Sequence, residues 1–273
     1  MEVLLDLPDS VGPVPVFVGL NFRGNQHVDG DSRWPVGSLI GRGCGSATVY
    51  CGDLFPDRVD GRPDSVAALF EDQSAADSWG AIGCWAWGLS RVADYLLTLP
   101  QVDAGRLIVH GHSRLGKAGL WAAAQDEHFA MAVSNESGCG GASLARRNFG
   151  ETVGLINDRF PHWFSGAYKR YNGAESELPV DQHMLLALVA PRPLAVASAV
   201  EDRWSDPRGE FLGAVHASPV YELLGVEGLA VRELPPVDQP VSSRVGYHIR
   251  SGGHDITNYD WQQFMHLADR HLG

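Results

Sequence analysis

Cysteine is scarce in this chain, and its four copies do not pair by spacing: Cys44, Cys51, Cys84 and Cys139 form no C-x-x-C and are too few for a disulfide scaffold. Free thiols are expected. No apolar run approaches the roughly 18 residues a membrane-spanning helix needs. No basic cluster is visible, and a formal net charge of −12 would repel phosphate backbones and anionic lipid, so neither nucleic acid nor membrane is an expected partner. The H-E-x-x-H spacing and clustered His/Asp patterns are missing, which argues against a metal hydrolase. There is no internal repeat, low-complexity tract or flexible linker. The N-terminus, "MEVLLDLPDSVGPVPVFVGLNF", lacks the basic start, apolar core and small-residue cleavage site of a signal peptide, which taken literally describes a cytoplasmic chain.

What is present is ordinary material for a globular enzyme. With 273 residues and 44% hydrophobic content the chain can bury a sizeable core, and one domain over 1–273 is expected. Apolar, β-branched runs at 14–20, 46–52, 106–111, 129–135, 192–199 and 245–252 read as strands. Helical patterns alternate with them at 81–99, 114–126, 181–189, 209–225 and 259–272. The alternation predicts an α/β fold with a mostly parallel, doubly wound sheet and helices on both faces. The turn-rich 24–45 and the stretch from 143 to 180 fit this scheme poorly, and are expected to lie over sheet ends and shape a substrate site.

One strand-to-helix junction stands out. In "VHGHSRLGKAGLWAAAQD" (109–126) a strand end meets a helix through Gly111, Ser113 and Gly116. An α/β-hydrolase elbow lifts its nucleophile at such a corner, with small residues flanking it because strand and helix nearly touch. The usual second glycine position holds Leu115, so the pattern is G-x-S-x-x-G. A serine N-cap at an ordinary junction is the bland alternative.

A serine becomes nucleophilic when a histidine takes its proton and a carboxylate fixes that histidine's tautomer. His254, in "IRSGGHDITNYD", has the right order and place: a glycine-rich loop between the last strand and the last helix. His110 and His112 lie just before the serine and read as packing or rim groups. Two acids follow strands at the same sheet edge, Glu136 in "VSNESGCGG" and Asp202 in "ASAVEDRWSDP". General topology favours Asp202.

The stretches "GHSRLGKAG", "SNESGCGG" and "HMLLALVAPRPLAVASAVEDRW", with the late "GGH", resemble the glucuronoyl esterases of carbohydrate esterase family fifteen, particularly its bacterial branch. The family signature G-C-S-R-x-G-K survives as Gly111, Ser113, Arg114, Gly116 and Lys117, with His112 in place of a cysteine that forms a disulfide in fungal members. The resemblance implies a cofactor-free α/β-hydrolase cleaving esters between (4-O-methyl-)glucuronic acid of xylan and lignin alcohols. It implies Ser113 as nucleophile, His254 as base and Glu136 as acid, with Asp202 second.

By the same resemblance, Arg114 stabilises the oxyanion, Lys117 and Glu151 bind sugar hydroxyls, Trp204 stacks and hydrogen-bonds, and Arg159 occupies the place of a binding glutamine. Cations in the first turn of a helix are unfavourable by roughly 0.3–1 kcal/mol, so Arg114 and Lys117 call for a functional reason. The substrate partner implied is glucuronoxylan or a lignin–carbohydrate ester, acted on by a secreted or periplasmic monomer. Family members carry a long stretch ahead of "VPVFVGLNFRGN", so a truncated chain lacking N-terminal strands is expected. An acetyl esterase with the same triad, and a non-catalytic carbohydrate-binding relative, are the rival readings.

Overall fold

The computed structural model describes residues 1–70 and 75–273. Seven strands form one sheet: β1 (Leu4–Asp6), β2 (Val14–Asn21), β3 (Gly45–Tyr50), β4 (Val102–His112), β5 (Phe129–Asn135), β6 (Leu194–Ala199) and β7 (Val245–Arg250). Their order is β1-β3-β2-β4-β5-β6-β7. Only β1 runs antiparallel, against β3. The longer helices are α1 (Val36–Gly41), α2 (Ala81–Leu96), α3 (Arg114–Gln125), α4 (Val153–Arg159), α5 (Gln182–Ala187), α6 (Pro207–Leu223) and α7 (Asn258–Leu272).

Strand alternation explains the two-sided core. Val16, Val18 and Leu20 of β2, with Leu107 and Val109 of β4, face a large cluster that α2, α3 and α6 complete. Their neighbours Phe17 and Ile108 point the other way, with Met131 and Val133, onto Trp261 and Phe264 of α7. Both faces are thus covered, which accounts for near-continuous hydrophobic strands.

The expected strands and helices are all present, with ends shifted by a few residues. The periodicity missed β1, which is three residues long and acquires its extended form by pairing with β3. β4 begins at Val102 rather than 106 because Val102 pairs with Val14 across an irregularity in β2. The 143–180 stretch holds α4 and short 3-10 turns, and 24–45 holds α1 and one such turn. The 143–180 stretch and residues 24–33 lie at the carboxyl ends of the strands, where ligands bind in open α/β sheets, whereas 36–44 cross to the amino end of β3, which runs parallel to β2.

Candidate active site

β4 ends and α3 begins at Ser113, which adopts φ 57° and ψ −131°. That positive φ is costly for a non-glycine residue, by about 1–3 kcal/mol, and persists only where the surroundings impose it. They do. A Cβ on Gly111 would sit 2.1 Å from the Leu115 carbonyl oxygen, and one on Gly116 would sit 2.9 Å from the Gly111 oxygen and 3.1 Å from Ser137 Cβ. The strand thus approaches the backbone of both Leu115 and Gly116, while the Leu115 side chain is buried in the core. The displaced glycine is a consequence of this packing. Ser113 N–H donates to the Asn135 carbonyl (2.9 Å), tying the elbow to β5.

His254 is brought to the elbow by the loop after β7. Its ring lies 4.5 Å, centroid to centroid, from that of His112, the residue before Ser113. No hydrogen bond between Ser113 Oγ and His254 is formed among the described residues. Nδ1 of His254 is 2.6 Å from Asp202 Oδ2 and 3.2 Å from Glu136 Oε2, so both candidate acids meet on one ring nitrogen. Nε2 is left free for proton transfer.

The two carboxylates are not equivalent. Burial would raise Asp202, but hydrogen bonds from the side chains of His254 and Ser205 outweigh it and hold the acid at about 2. Burial dominates at Glu136 and pushes it up to about 7, against the pull of His254 and Arg250. Glu136 is also committed elsewhere: Arg250 Nη2 donates to Oε1 (2.7 Å) and the Asp255 N–H to Oε2 (3.2 Å). The shorter contact and the firmer charge both belong to Asp202, so the geometry favours the reverse of the order that the resemblance implies. For His254, burial works downward, but the bonds to Asp202 and Glu136 lift it to about 9. His112 is fully desolvated and pushed down to about 3, hence neutral, and Asn135 Nδ2 donates to its Nδ1 (2.9 Å). His110 is a packing residue, wedged against Trp34 and Trp261.

Arg114 opens α3, whose first N–H groups have no intrahelical partner and point at the elbow. Its side chain is not free: Nε lies 2.7 Å from Asp57 Oδ2, and the guanidinium sits over the rings of Phe22 (4.7 Å) and Trp163 (5.7 Å). Asp57 is itself bound by His162 and Trp163 Nε1 at 2.8 and 2.7 Å. Burial acts to raise the Asp57 carboxyl, yet these bonds hold it below the usual carboxylate range. Sequence reasoning missed Asp57, because its partner lies 57 positions away and no local pattern links them.

Lys117 departs from expectation. As a first-turn cation it should be exposed, but it is buried, and Nζ donates to the Ser137 carbonyl (2.6 Å), the Cys139 carbonyl (2.7 Å) and Glu151 Oε2 (2.9 Å). An ammonium has three protons. All three are used within the protein, so direct donation from Lys117 to a sugar hydroxyl does not fit this arrangement. The other Glu151 oxygen accepts from Trp204 Nε1 (3.1 Å), and Arg159 lies over the Trp204 ring at 5.5 Å. Gly150, at φ 66°, permits this docking: its Cβ would fall 2.4 Å from the Trp204 carbonyl, and the Glu151 N–H donates to that carbonyl. Four residues expected at the sugar site are thus one chain, Lys117–Glu151–Trp204–Arg159.

Among the described residues, the only grouping with metal-ligand spacing is Glu136, Asp202 and His254. Its donors are already matched to one another through the Nδ1 proton, and Arg250 neutralises one carboxylate, which suits an imidazolium better than a metal ion. All four cysteines are buried and free. No described helix is long and apolar enough to cross a membrane.

Comparison with known proteins turns this geometry into a family assignment. The family model described as "Glucuronyl esterase, fungi" matches residues 63–225. Carbohydrate esterase MZ0003, from an unknown prokaryotic organism, is 43% identical over the whole of this chain and 71% of its own length. The chain belongs to the glucuronoyl esterases. Membership makes it a carboxylic ester hydrolase of the α/β-hydrolase fold. The solved glucuronoyl esterase from Solibacter usitatus superposes with a TM-score of 0.96 at 44% identity, covering 99% of this chain and 77% of that one. The 4-O-methyl-glucuronoyl methylesterase 1 of Wolfiporia cocos is 34% identical over 65% of this chain and 46% of its own. The chain thus spans under half of that fungal glucuronoyl esterase and roughly three quarters of the bacterial ones.

Proposed function

We propose that this glucuronoyl esterase hydrolyses the ester between (4-O-methyl-)glucuronic acid of glucuronoxylan and lignin alcohols through an acyl-enzyme on Ser113. His254 Nε2 accepts the Ser113 proton as Oγ attacks the carbonyl, and Asp202 stabilises the imidazolium through Nδ1. The N–H of Arg114 and its guanidinium face the developing oxyanion. The alkoxide leaves with the proton from His254, and water attacks the acyl-enzyme by the same route. Glu136 supports the histidine from the second side.

The observation that carries the glucuronate reading is the Lys117–Glu151–Trp204 chain beside a serine elbow. A buried carboxylate held by an ammonium and an indole N–H is a preorganised acceptor for sugar hydroxyls, which a small acyl group does not require. In this reading Lys117 holds Glu151 in place, while Glu151, Trp204 and Arg159 face the sugar. We further infer that 1–273 acts as one catalytic domain, a monomer working outside the cytoplasm, as the family resemblance implies.

Benzyl glucuronate and p-nitrophenyl acetate, compared on the purified protein and on Glu151→Gln, test the reading. Glu151→Gln is expected to raise KM for the glucuronate ester by about tenfold and leave acetate nearly unchanged. Equal losses on both would return the chain to a general esterase.

A further inference from the structure

His254 stands on a loop that local structure does little to hold. Gly252 (φ 94°) and Gly253 precede it, no helix or strand includes it, and a Cβ on Gly253 would meet nothing within 4 Å. Two glycines in succession give the unfolded and partly folded chain many alternatives to lose. A base must nevertheless be held closely, since a displacement of about 1 Å in a reacting group can cost about 100-fold in rate.

Several contacts from elsewhere in the fold hold this loop, among them Asn135 Nδ2 on the Asp255 carbonyl (3.0 Å), Asp238 on Ser251 and the Glu201 N–H on the Gly252 carbonyl (3.1 Å), but one side chain spans both sides of His254. Arg250, the last residue of β7, is buried, and its guanidinium donates to the carbonyls of Ser251 (3.0 Å), Gly253 (3.0 Å) and Asp255 (2.6 Å). Those carbonyls belong to alternate residues, so the backbone on both sides of His254 is drawn to one cation. The same guanidinium reaches Glu136 Oε1 (2.7 Å), and Nε is anchored on Asp260 Oδ2 (2.8 Å). Asp260 is fixed in turn by His248 (2.8 Å) and by the capping box that starts α7.

We propose that Arg250 is a positioning residue of the glucuronoyl esterase reaction: its fork gathers the 251–255 carbonyls and Glu136 so that the His254 ring presents Nδ1 to the carboxylates and Nε2 to Ser113. Lysine, with one compact ammonium, cannot reproduce a planar fork that reaches backbone and two carboxylates together. The inference rests on the assignment of His254 as base, but its first readout does not need turnover.

The protein supplies its own control. Arg192 is an equally committed guanidinium, donating to the carbonyls of Ala123, Asp126, Phe129, Leu188 and Val189, none of them in the 251–255 loop. A positioning role predicts that Arg250→Lys loses the far-downfield NMR resonance of the hydrogen-bonded His254 Nδ1 proton, while Arg192→Lys keeps it. In kinetics, Arg250→Lys is expected to lower kcat by about 10–100-fold with KM within about threefold, whereas Arg192→Lys lowers Tm and leaves kcat within about twofold. Asp260→Asn, which weakens the Nε anchor together with the His248 pair and the α7 cap but substitutes no residue that touches His254, is expected to weaken the downfield Nδ1 resonance and lower kcat several-fold. Retention of the downfield proton and of kcat in Arg250→Lys overturns the proposal. If that variant does not fold, unchanged kcat in Asp260→Asn overturns it. Absence of Ser113-dependent esterase activity in the wild type, with the proton lost in Arg250→Lys, would refute the functional reading and leave the positioning intact.

Discussion

Asp202→Asn is expected to lower the plateau of kcat/KM for a glucuronate ester by about 100- to 1,000-fold, and to move its acid limb to lower pH. An amide at this position cannot hold the imidazole in the working tautomer, and in serine triads generally that loss amounts to about 10⁴-fold. Here Glu136 Oε2 remains 3.2 Å from Nδ1, so part of the function survives. The pH effect follows from the same contacts. His254 is a base only when neutral, and the carboxylates lift its pKa from 6.5 to about 9, so wild-type activity rises with pH into the alkaline range. At 1.36 kcal/mol per pH unit the lift corresponds to about 3 kcal/mol if fully buried, and to about 1–2 kcal/mol once water reaching a side chain 40% exposed is counted. Removing the shorter of the two bonds forfeits most of this, and the midpoint falls towards 6.5. The assay is kcat/KM for benzyl glucuronate between pH 5 and 10 on wild type, Asp202→Asn and Glu136→Gln. A plateau within about threefold of wild type, or an acid limb that stays put, would refute the reasoning. A larger loss in Glu136→Gln would show that the nearer carboxylate is the spectator.

Ser113→Ala should abolish turnover with Tm nearly unchanged, and Ser113→Gly should also abolish it while raising stability by about 1 kcal/mol, because glycine relieves the positive φ; denaturant melts with activity assays check both. Lys117→Met should destabilise by about 3–5 kcal/mol in urea titrations, since it leaves the buried Glu151 carboxylate unpaired. Glu210 is buried on α6, where desolvation raises it to about 8. Its contribution to stability is therefore full below about pH 4.5 and lost as pH rises through 8, so Glu210→Gln should be near neutral at pH 5 and stabilising at pH 9. Thermal melts across that range decide it.

How much of this was legible in the chain differs from residue to residue. Ser113 and His254 were, because an elbow flanked by glycines and a glycine-rich loop before the last helix are local patterns with fixed places in a doubly wound sheet. The strands were legible because burial on both faces forces near-continuous apolar runs. β1 was not, since three residues carry no period and its pairing with β3 creates the strand.

The sequence by itself determined the doubly wound sheet, the corner that lifts Ser113 and the loop that carries His254, whereas Lys117, Glu151, Trp204 and Arg159 were named by resemblance to the family. The sheet, the corner and the loop follow from short-range chemistry: side-chain alternation, turn residues and helix capping act between near neighbours. Only the tertiary structure decided which partners those groups contact. It set Asp202 closer than Glu136 to His254, took all three protons of Lys117, pinned Arg114 on Asp57, and wrapped the 251–255 loop around Arg250. Each of these contacts joins residues whose distance and burial arise from packing of separate elements. Buried charges take whichever partners the fold leaves within reach, because an unpaired one is too costly to keep.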